Sequence, residues 1–269
     1  MEMMSAIILG LVQGVTEFLP VSSTGHLVLV HEWLEVEGAN ALAYDAVLHF
    51  ATTAAVTVYF WSDLWVLIQA VFRKLGRLPV NERDMTLFYA LVIGTIPAVG
   101  LGVILEGVIS EYLRTPLFVA GLLFLASIFF LYAEWRYYLQ PAHGELTLKR
   151  GLLVGMFQAL ALLPGMSRSG STIAGGMLLG MSRYEATRFS FLLAIPITLG
   201  VGIKMSLDLL KMGGAVEWSV IYVGAGVAFL TALFVIHFFL KFIRKYTLWP
   251  FVWYGIILSA MVMYVTLFT

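Results

Sequence analysis

The chain has 269 residues, of which 61% are hydrophobic and only 12% are charged, and its formal net charge is zero. Mean hydropathy is +0.93. These values exclude an ordinary soluble domain, and the balanced charge gives no reason to expect a nucleic-acid partner. Because the chain contains no cysteine, disulfide and thiol chemistry are excluded as well. The composition therefore predicts a polytopic membrane protein.

Eight apolar segments follow one another along the chain. Six of them are uninterrupted and are close to or above the roughly 20 residues that a membrane-spanning helix needs. We expect an all-α fold with six spanning helices, over residues 46–72, 85–105, 116–135, 189–210, 219–240 and 248–268. The other two apolar segments, 5–30 and 151–181, are each interrupted by a short polar stretch.

These stretches are the first polar segment, residues 20–26, and the second polar segment, residues 164–172, and each begins with a proline. Proline removes a backbone donor and clashes with the preceding turn, so Pro20 and Pro164 each interrupt an ideal helix. Irregular backbone at membrane depth is tolerated only where protein or a water-filled cavity surrounds it. We therefore expect two re-entrant helical hairpins in addition to the six spans.

The two halves of the chain resemble each other. The matches are Gly10-x-x-Gln13 with Gly155-x-x-Gln158, Phe18-Leu19-Pro20 with Leu162-Leu163-Pro164, and Tyr44-Asp45-Ala46 with Tyr184-Glu185-Ala186. We interpret residues 1–269 as one integral membrane domain made of repeat one, about 1–140, and repeat two, about 145–269. Three crossings per repeat would turn the second repeat upside down. Inverted repeats with broken helices commonly carry their site near the midplane.

The distribution of basic residues predicts the orientation in the cell membrane. If the first hairpin enters from outside, only Arg114, Lys204 and Lys211 lie in outer segments. Twelve of the sixteen Lys and Arg then lie inside, as the positive-inside rule requires, namely Arg73, Lys74, Arg77, Arg83, Arg136, Lys149, Arg150, Arg183, Arg188, Lys241, Arg244 and Lys245. We therefore expect a site that faces outward.

Gln13 and Glu17 precede the first polar segment with i, i+4 spacing, which places them on one helical face. A carboxylate at membrane depth must be protonated, paired with a cation such as Arg168 or His26, or bound to a metal ion. Carboxylate and amide oxygens suit magnesium or calcium, so we predict metal or proton handling at this pair. The competing interpretation is a glutamate that caps a helix or closes the hairpin.

Within the first polar segment, Ser23 and His26 are three residues apart and share a face if a helix begins near Ser22. A serine beside an imidazole is an activated nucleophile, and a histidine can also attack phosphorus itself. Ser22 and Thr24 are predicted caps or phosphate donors. His49, further along the chain, is a weaker candidate for which helix packing is the default interpretation.

Arg168, in the second polar segment, is the one arginine that no loop accommodates. Its guanidinium stays charged and its planar fork matches phosphate oxygens. It lies where a helix would begin, and free amides at a helix start also favour an anion. Ser167, Ser169 and Thr172 add hydroxyl groups, so we predict an anion site. The alternative is a structural arginine that binds backbone carbonyls.

The residues from Gln13 to His26 read Gln-Gly-Val-Thr-Glu-Phe-Leu-Pro-Val-Ser-Ser-Thr-Gly-His, and those from Pro164 to Thr172 read Pro-Gly-Met-Ser-Arg-Ser-Gly-Ser-Thr. Together they resemble the undecaprenyl-diphosphate phosphatase family of the bacitracin-resistance type. The resemblance covers nearly the whole chain. It implies hydrolysis of undecaprenyl diphosphate to the monophosphate lipid carrier of cell-wall synthesis. The first acidic position of the family motif is Gln13 here, which weakens a two-carboxylate metal site.

From these patterns we expect a diphosphate held by Arg168, Ser167, Ser169 and Thr172. Ser23 would attack the terminal phosphorus with His26 as base, or His26 would attack with Ser23 as donor. A homodimer is plausible for a bundle of this size. The alternative function is a transporter or flippase for an isoprenoid phosphate, because broken helices in an inverted repeat also occur in transporters.

Overall fold

The computed structural model describes residues 2–35, 39–112, 115–140, 144–211 and 218–268, without the side chains of 39–43, 106–112, 201 and 204–211. All regular structure in these ranges is helical, which confirms the predicted all-α class for them. The helices are α1 (Met3–Thr16), α2 (Ser23–Trp33), α3 (Ala39–Tyr59), α4 (Trp61–Leu75), α5 (Glu82–Tyr112), α6 (Pro116–Leu139), α7 (Leu148–Leu160), α8 (Arg168–Leu178), α9 (Arg183–Lys211), α10 (Trp218–Ile243) and α11 (Trp249–Phe268).

Several of these helices can cross a membrane. Among the described residues, four helices are long and apolar enough, and a fifth span results if α3 and α4 count as one broken crossing. The four are Glu82–Leu105 within α5, α6, α10 and α11. The chain is therefore a multi-pass membrane protein. Arg114 and the side chains of Lys204 and Lys211, used above to predict orientation, lie outside the described residues.

The predicted single segment 46–72 differs from the structure, because α3 and α4 meet at an angle of 73°. The sequence of α4 favours a new helix start here, because its first turn carries polar Ser62 and Asp63, and an acid in the first turn favours a helix N-terminus. Most of the large exposed apolar side chains of α4 recur every three or four residues, at Trp61, Trp65, Ile68, Phe72 and Leu75, and Val66 lies beside them. Such a stripe is typical of a helix that lies in the membrane interface.

Glycines bring two helix pairs into close contact. A Cβ atom on Gly10 of α1 would lie 2.5 Å from the carbonyl oxygen of Gly224 in α10, and Gly155 of α7 faces Gly94 of α5 in the same way. Small residues at such positions let membrane helices approach closely. The two short helices α1 and α7 are thereby fixed against long ones, and the turn that follows each is held in the interior.

The turns after α1 and α7 share their local geometry. Ser22 and Ser167 both have a positive φ, 67° and 57°, immediately before α2 and α8. The hydroxyl of each serine accepts a hydrogen bond from the backbone N–H three residues later, at Gly25 and Gly170. A serine that caps its helix in this way satisfies an amide that would otherwise lack a partner. In each polar segment a helix therefore begins with a serine as its N-cap.

The helix ends predicted to lie inside gather at one end of the molecule. Arg183 of α9 forms an ion pair with Glu134 of α6 at 2.6 Å, and Arg188 of α9 pairs with Asp63 of α4. The Glu134 carboxylate also accepts from the backbone N–H of Leu248, which precedes α11. These contacts join the ends of four helices, α4, α6, α9 and α11, through charged groups.

Candidate active site

Glu17 is the residue around which the polar groups assemble. It follows the last residue of α1, and its backbone N–H still bonds to the carbonyl of Gln13. Its side chain is only 7% exposed. The side-chain amide of Gln13, one turn earlier, donates a hydrogen bond of 2.9 Å to the Glu17 carboxylate. Helical spacing therefore brings these two side chains together, as the sequence predicts.

The second polar segment reaches the same carboxylate. Arg168 Nη2 lies 2.6 Å from Glu17 Oε1, and the arginine side chain is 14% exposed. Beside this ion pair, the Ser169 hydroxyl donates to the backbone carbonyl of Leu19 at 2.9 Å. Burying two charges costs free energy that a close, hydrogen-bonded pair recovers only in part. The structure thus joins the two polar segments through groups that are expensive to bury.

Ser23 completes a three-residue contact. It is the first residue of α2, and its hydroxyl donates to Glu17 Oε2 at 2.8 Å while Arg168 binds the other oxygen. A serine that donates to a carboxylate is an alcohol whose proton already has an acceptor in place. Since Ser23 is half-buried and Glu17 is buried, the hydroxyl is the more accessible of the two groups.

The predicted contact between Ser23 and His26 is not seen. The His26 Nδ1 atom lies 2.8 Å from the carbonyl oxygen of Ser22, and its Nε2 lies 2.6 Å from the hydroxyl of Tyr254 in α11. No hydrogen bond joins His26 to Ser23 in the described part of the chain. The histidine instead stands at the edge of the site, where Tyr254 is 44% exposed, and Glu17 takes the place beside Ser23.

His49 of α3 also belongs to this cluster. Its Nδ1 lies 2.8 Å from the Gln13 amide nitrogen and 3.2 Å from Glu17 Oε2. If Nδ1 carries the proton it donates to the carboxylate, whereas if it does not, it accepts from Gln13. From the sequence, helix packing was the default interpretation of His49. The only signal in the sequence was a histidine beside Thr52 and Thr53 in an apolar helix.

The predicted phosphate-binding hydroxyls mostly serve internal contacts. Ser22 and Ser167 cap their helices, and Ser169 binds Leu19. The buried Thr172 hydroxyl donates to the backbone carbonyl of Arg168 and lies 2.6 Å from the Ser190 hydroxyl. Thr24 is half-buried and forms no hydrogen bond with any described residue. The side chains other than Thr24 hold Arg168 and the two turns in position in this structure, and the roles of all five toward a ligand stay predictions.

Two atoms in the cluster retain unused hydrogen-bonding capacity. The Nη1 of Arg168 and the Oε1 of Gln13 are buried without a partner in the described part of the chain. A buried unpaired donor is costly, and it commonly marks a position that a ligand or water fills. The arginine donor is suited to an anion, and the amide oxygen to a cation or a hydroxyl. The arrangement can therefore bind an anionic group next to an activated hydroxyl.

Comparisons with known proteins identify the family of this chain. The family model described as bacitracin resistance protein BacA matches residues 6–261. The chain belongs to this family. It is 38% identical to a protein named undecaprenyl-diphosphatase from Alteromonas mediterranea, over 98% of both chains. It is 39% identical to one of the same name from Thermomicrobium roseum, over 100% of this chain and 99% of the relative. It is also 40% identical to undecaprenyl-diphosphatase 2 of Stutzerimonas stutzeri, over 98% of both.

Both polar segments, His49 and Tyr254 lie inside the part of the chain that the BacA family model matches. Tyr254 is a site residue that the sequence analysis missed, because it lies in an apolar helix more than two hundred residues from His26 and has no polar motif around it. Within the described residues, no group of three or more His, Asp or Glu side chains is arranged to hold a metal ion.

The Glu17–Arg168 pair of this BacA family member can be tested by a double-mutant cycle. Glu17→Ala and Arg168→Ala are each expected to lower the free energy of unfolding by about 3 kcal/mol, because each leaves a buried charge unpaired. The double variant should lose about 1–3 kcal/mol less than the sum. The free energy of unfolding is measured in detergent for the parent, the two single variants and the double variant. Glu17→Ala combined with the remote Lys245→Ala is the additive control, and additive losses for Glu17 and Arg168 would contradict the contact.

Proposed function

We propose that this BacA family member is an integral membrane phosphatase that hydrolyses undecaprenyl diphosphate to undecaprenyl phosphate and inorganic phosphate. The observation that carries the proposal is the carboxylate of Glu17 shared by the Ser23 hydroxyl and the Arg168 guanidinium, in a chain whose relatives are named undecaprenyl-diphosphatase. The reaction would return the lipid carrier to cell-wall synthesis. It would also account for the bacitracin resistance after which the family is named.

The diphosphate would bind where α2 and α8 begin. Both helix N-termini point their dipoles and first amides toward this region, which favours an anion. Arg168 offers Nη1 and Thr24 offers its hydroxyl, and neither group has a hydrogen-bond partner among the described residues. In phosphoryl transfer the protein acts mainly by positioning groups and stabilising charge. The prenyl chain would extend into the bilayer along apolar helix faces.

The geometry favours Ser23 as nucleophile with Glu17 as its base. The Ser23 oxygen would form a bond to the terminal phosphorus while the bond to the bridging oxygen breaks and undecaprenyl phosphate leaves. The hydroxyl proton would pass to Glu17, 2.8 Å away. Water would then hydrolyse the phosphoserine and release inorganic phosphate. This changes the base from the predicted His26 to Glu17. In the alternative mechanism, His26 attacks phosphorus and Ser23 donates a hydrogen bond.

A divalent cation, magnesium or calcium, is part of the proposal. Gln13 Oε1 is a buried oxygen without a partner in the described part of the chain, and Glu17 is adjacent. One carboxylate suffices when substrate phosphates supply further oxygens, as is usual for magnesium. The ion would neutralise charge on the diphosphate.

We expect a chelator to lower phosphate release and added magnesium or calcium to restore it. Activity unchanged by chelator would contradict this part of the proposal.

We further propose the inverted-repeat topology, with six spans, two re-entrant hairpins and an outward-facing site. Repeat one, about 1–140, and repeat two, about 145–269, would form one membrane domain. The equivalent caps at Ser22 and Ser167, and the equivalent glycine contacts of α1 and α7, support this pairing. The basic helix ends, which gather at one end of the molecule, support the orientation. A homodimer remains a prediction.

A transporter with the same architecture is the alternative function, but the names of the relatives favour hydrolysis.

The function is tested by measuring release of inorganic phosphate from C15 and longer prenyl diphosphates by purified protein in detergent, where no second compartment exists and transport cannot be measured. Arg168→Ala should lower kcat/KM by about 100-fold or more, as loss of a charge-stabilising donor does in other enzymes. Arg83→Ala, at an exposed ion pair, is the matched control. Full turnover in Arg168→Ala would refute the assignment.

A second experiment identifies the nucleophile. A prenyl diphosphate labelled in its terminal phosphate is mixed with enzyme, the reaction is quenched within a turnover, and the labelled residue is mapped. We expect acid-stable label on Ser23, and its absence in Ser23→Ala, because Ser23 has its proton acceptor in place. Acid-labile label on His26 would instead support the alternative mechanism. Efficient turnover without label on either residue would contradict both.

A further inference from the structure

A second polar cleft lies at the end of the molecule where the basic helix ends gather. Its volume is about 560 Å³, within the range of small-molecule sites. Residues at the end of α3, the start of α4, the start of α9 and the end of α10 line it. Those that matter here are Tyr59, Asp63, Tyr184, Arg188, Lys241 and Arg244. None of them belongs to the predicted site.

The cleft has an excess of positive charge. Three cations and one carboxylate line it, which gives a formal excess of two positive charges. Arg188 is already paired with Asp63. Lys241 and Arg244 are exposed, and neither forms an ion pair with any residue that the structure describes. Two unpaired cations that converge on one cleft raise the local concentration of anions.

Two of the three cations, Arg244 and Arg188, are also oriented before any ligand binds. The Arg244 guanidinium lies over the ring of Tyr184, 4.1 Å from its centroid. The Asp63 carboxylate fixes Arg188, and the Tyr59 hydroxyl lies 3.3 Å from His237 Nδ1 on the same wall. Stacking on an aromatic ring leaves the edge of an arginine fork free for a planar arrangement of oxygens. This favours a phosphate group over a simple halide ion.

The cleft is separate from the site at Glu17. Three buried phenylalanine rings stand in a row between the two, with Phe18 5.1 Å from Phe191 and Phe191 6.1 Å from Phe239. Phe18 follows Glu17 in the chain, and Phe239 precedes Leu240, which lines the cleft. The residues that line the cleft also share no hydrogen bond or ion pair with Glu17, Ser23 or Arg168 in the part of the chain that the structure describes.

Large exposed apolar side chains adjoin the cleft on the same two helices. They are Val58 of α3, and Phe234 and Phe238 of α10. In a membrane protein such side chains face lipid, so the cleft lies where the apolar surface meets charged helix ends. We propose that this cleft binds a phosphate group, carried by a lipid headgroup of the leaflet beside it or by inorganic phosphate. The inference does not depend on the hydrolysis proposed above.

The test measures binding of two probes, inorganic phosphate and farnesyl phosphate, to purified protein in detergent by equilibrium dialysis. Every protein carries Arg168→Gln, so that binding at the proposed active site does not contribute. We expect Lys241→Gln/Arg244→Gln to raise Kd about tenfold or more, because two charge-assisted contacts are lost. Lys241→Arg, which keeps the charge, should bind within about twofold of the background protein.

Lys245→Gln is the matched control, since Lys245 is an exposed cation next to Arg244 that does not line the cleft. It should leave Kd unchanged. Tighter binding of farnesyl phosphate than of inorganic phosphate supports a lipid ligand, and equal binding supports free phosphate; both support the site. Failure of both probes to bind, or equal weakening by Lys245→Gln, would overturn the proposal. The thermal melting of each variant is measured alongside, and the double variant should melt as the background protein does.

Discussion

The ion pair between Glu17 and Arg168 is the interaction on which the site depends. Glu17 follows the last residue of α1, Arg168 is the first residue of α8, and their side chains are only 7% and 14% exposed. Alone, either charge would be costly to bury, but together they fix two turns that are 151 residues apart in sequence. The hydroxyls of Ser169 and Ser23 then find partners in the same place, so the polar groups at membrane depth satisfy one another.

The two polar segments could be located from the sequence because a polar residue in an apolar segment is unfavourable at membrane depth, and such residues can be identified without a structure. Pro20, Pro164 and Arg168 identified the two turns, and the pairing of Glu17 with Arg168 was among the stated possibilities. His49 was predicted only as a weaker candidate and Tyr254 was not predicted, since helix packing is the usual role of such residues and only the tertiary fold brings them to Glu17 or His26. The prediction that His26 is the partner of Ser23 was wrong, because helical spacing alone placed His26 near Ser23. The tertiary fold of the turn brings Glu17 to Ser23 instead.

The two halves are not equally polar, which bears on why one site forms. Gln158 corresponds to Gln13 in the proposed repeat, and both are buried. Both amide atoms of Gln158 lack a partner among the described residues, whereas Gln13 donates to Glu17. The position that corresponds to Glu17 is Leu162 when counted from the glycine motif and Ala161 when counted from the proline motif, and the position that corresponds to His49 is Phe189; all three are apolar. The second half thus contributes an arginine to the site of the first, and no carboxylate of its own.

The resting ion pair also suggests how binding and reaction are coupled. Arg168 has one donor on Glu17 and another, Nη1, without a partner in the described part of the chain. A diphosphate that takes up Nη1 competes with Glu17 for the same guanidinium. As the cation shifts toward phosphate, the carboxylate loses stabilisation and becomes a better proton acceptor. Its remaining partner, the Ser23 hydroxyl, holds the proton to be taken. In the proposed mechanism the substrate therefore activates the base further by drawing away its counterion.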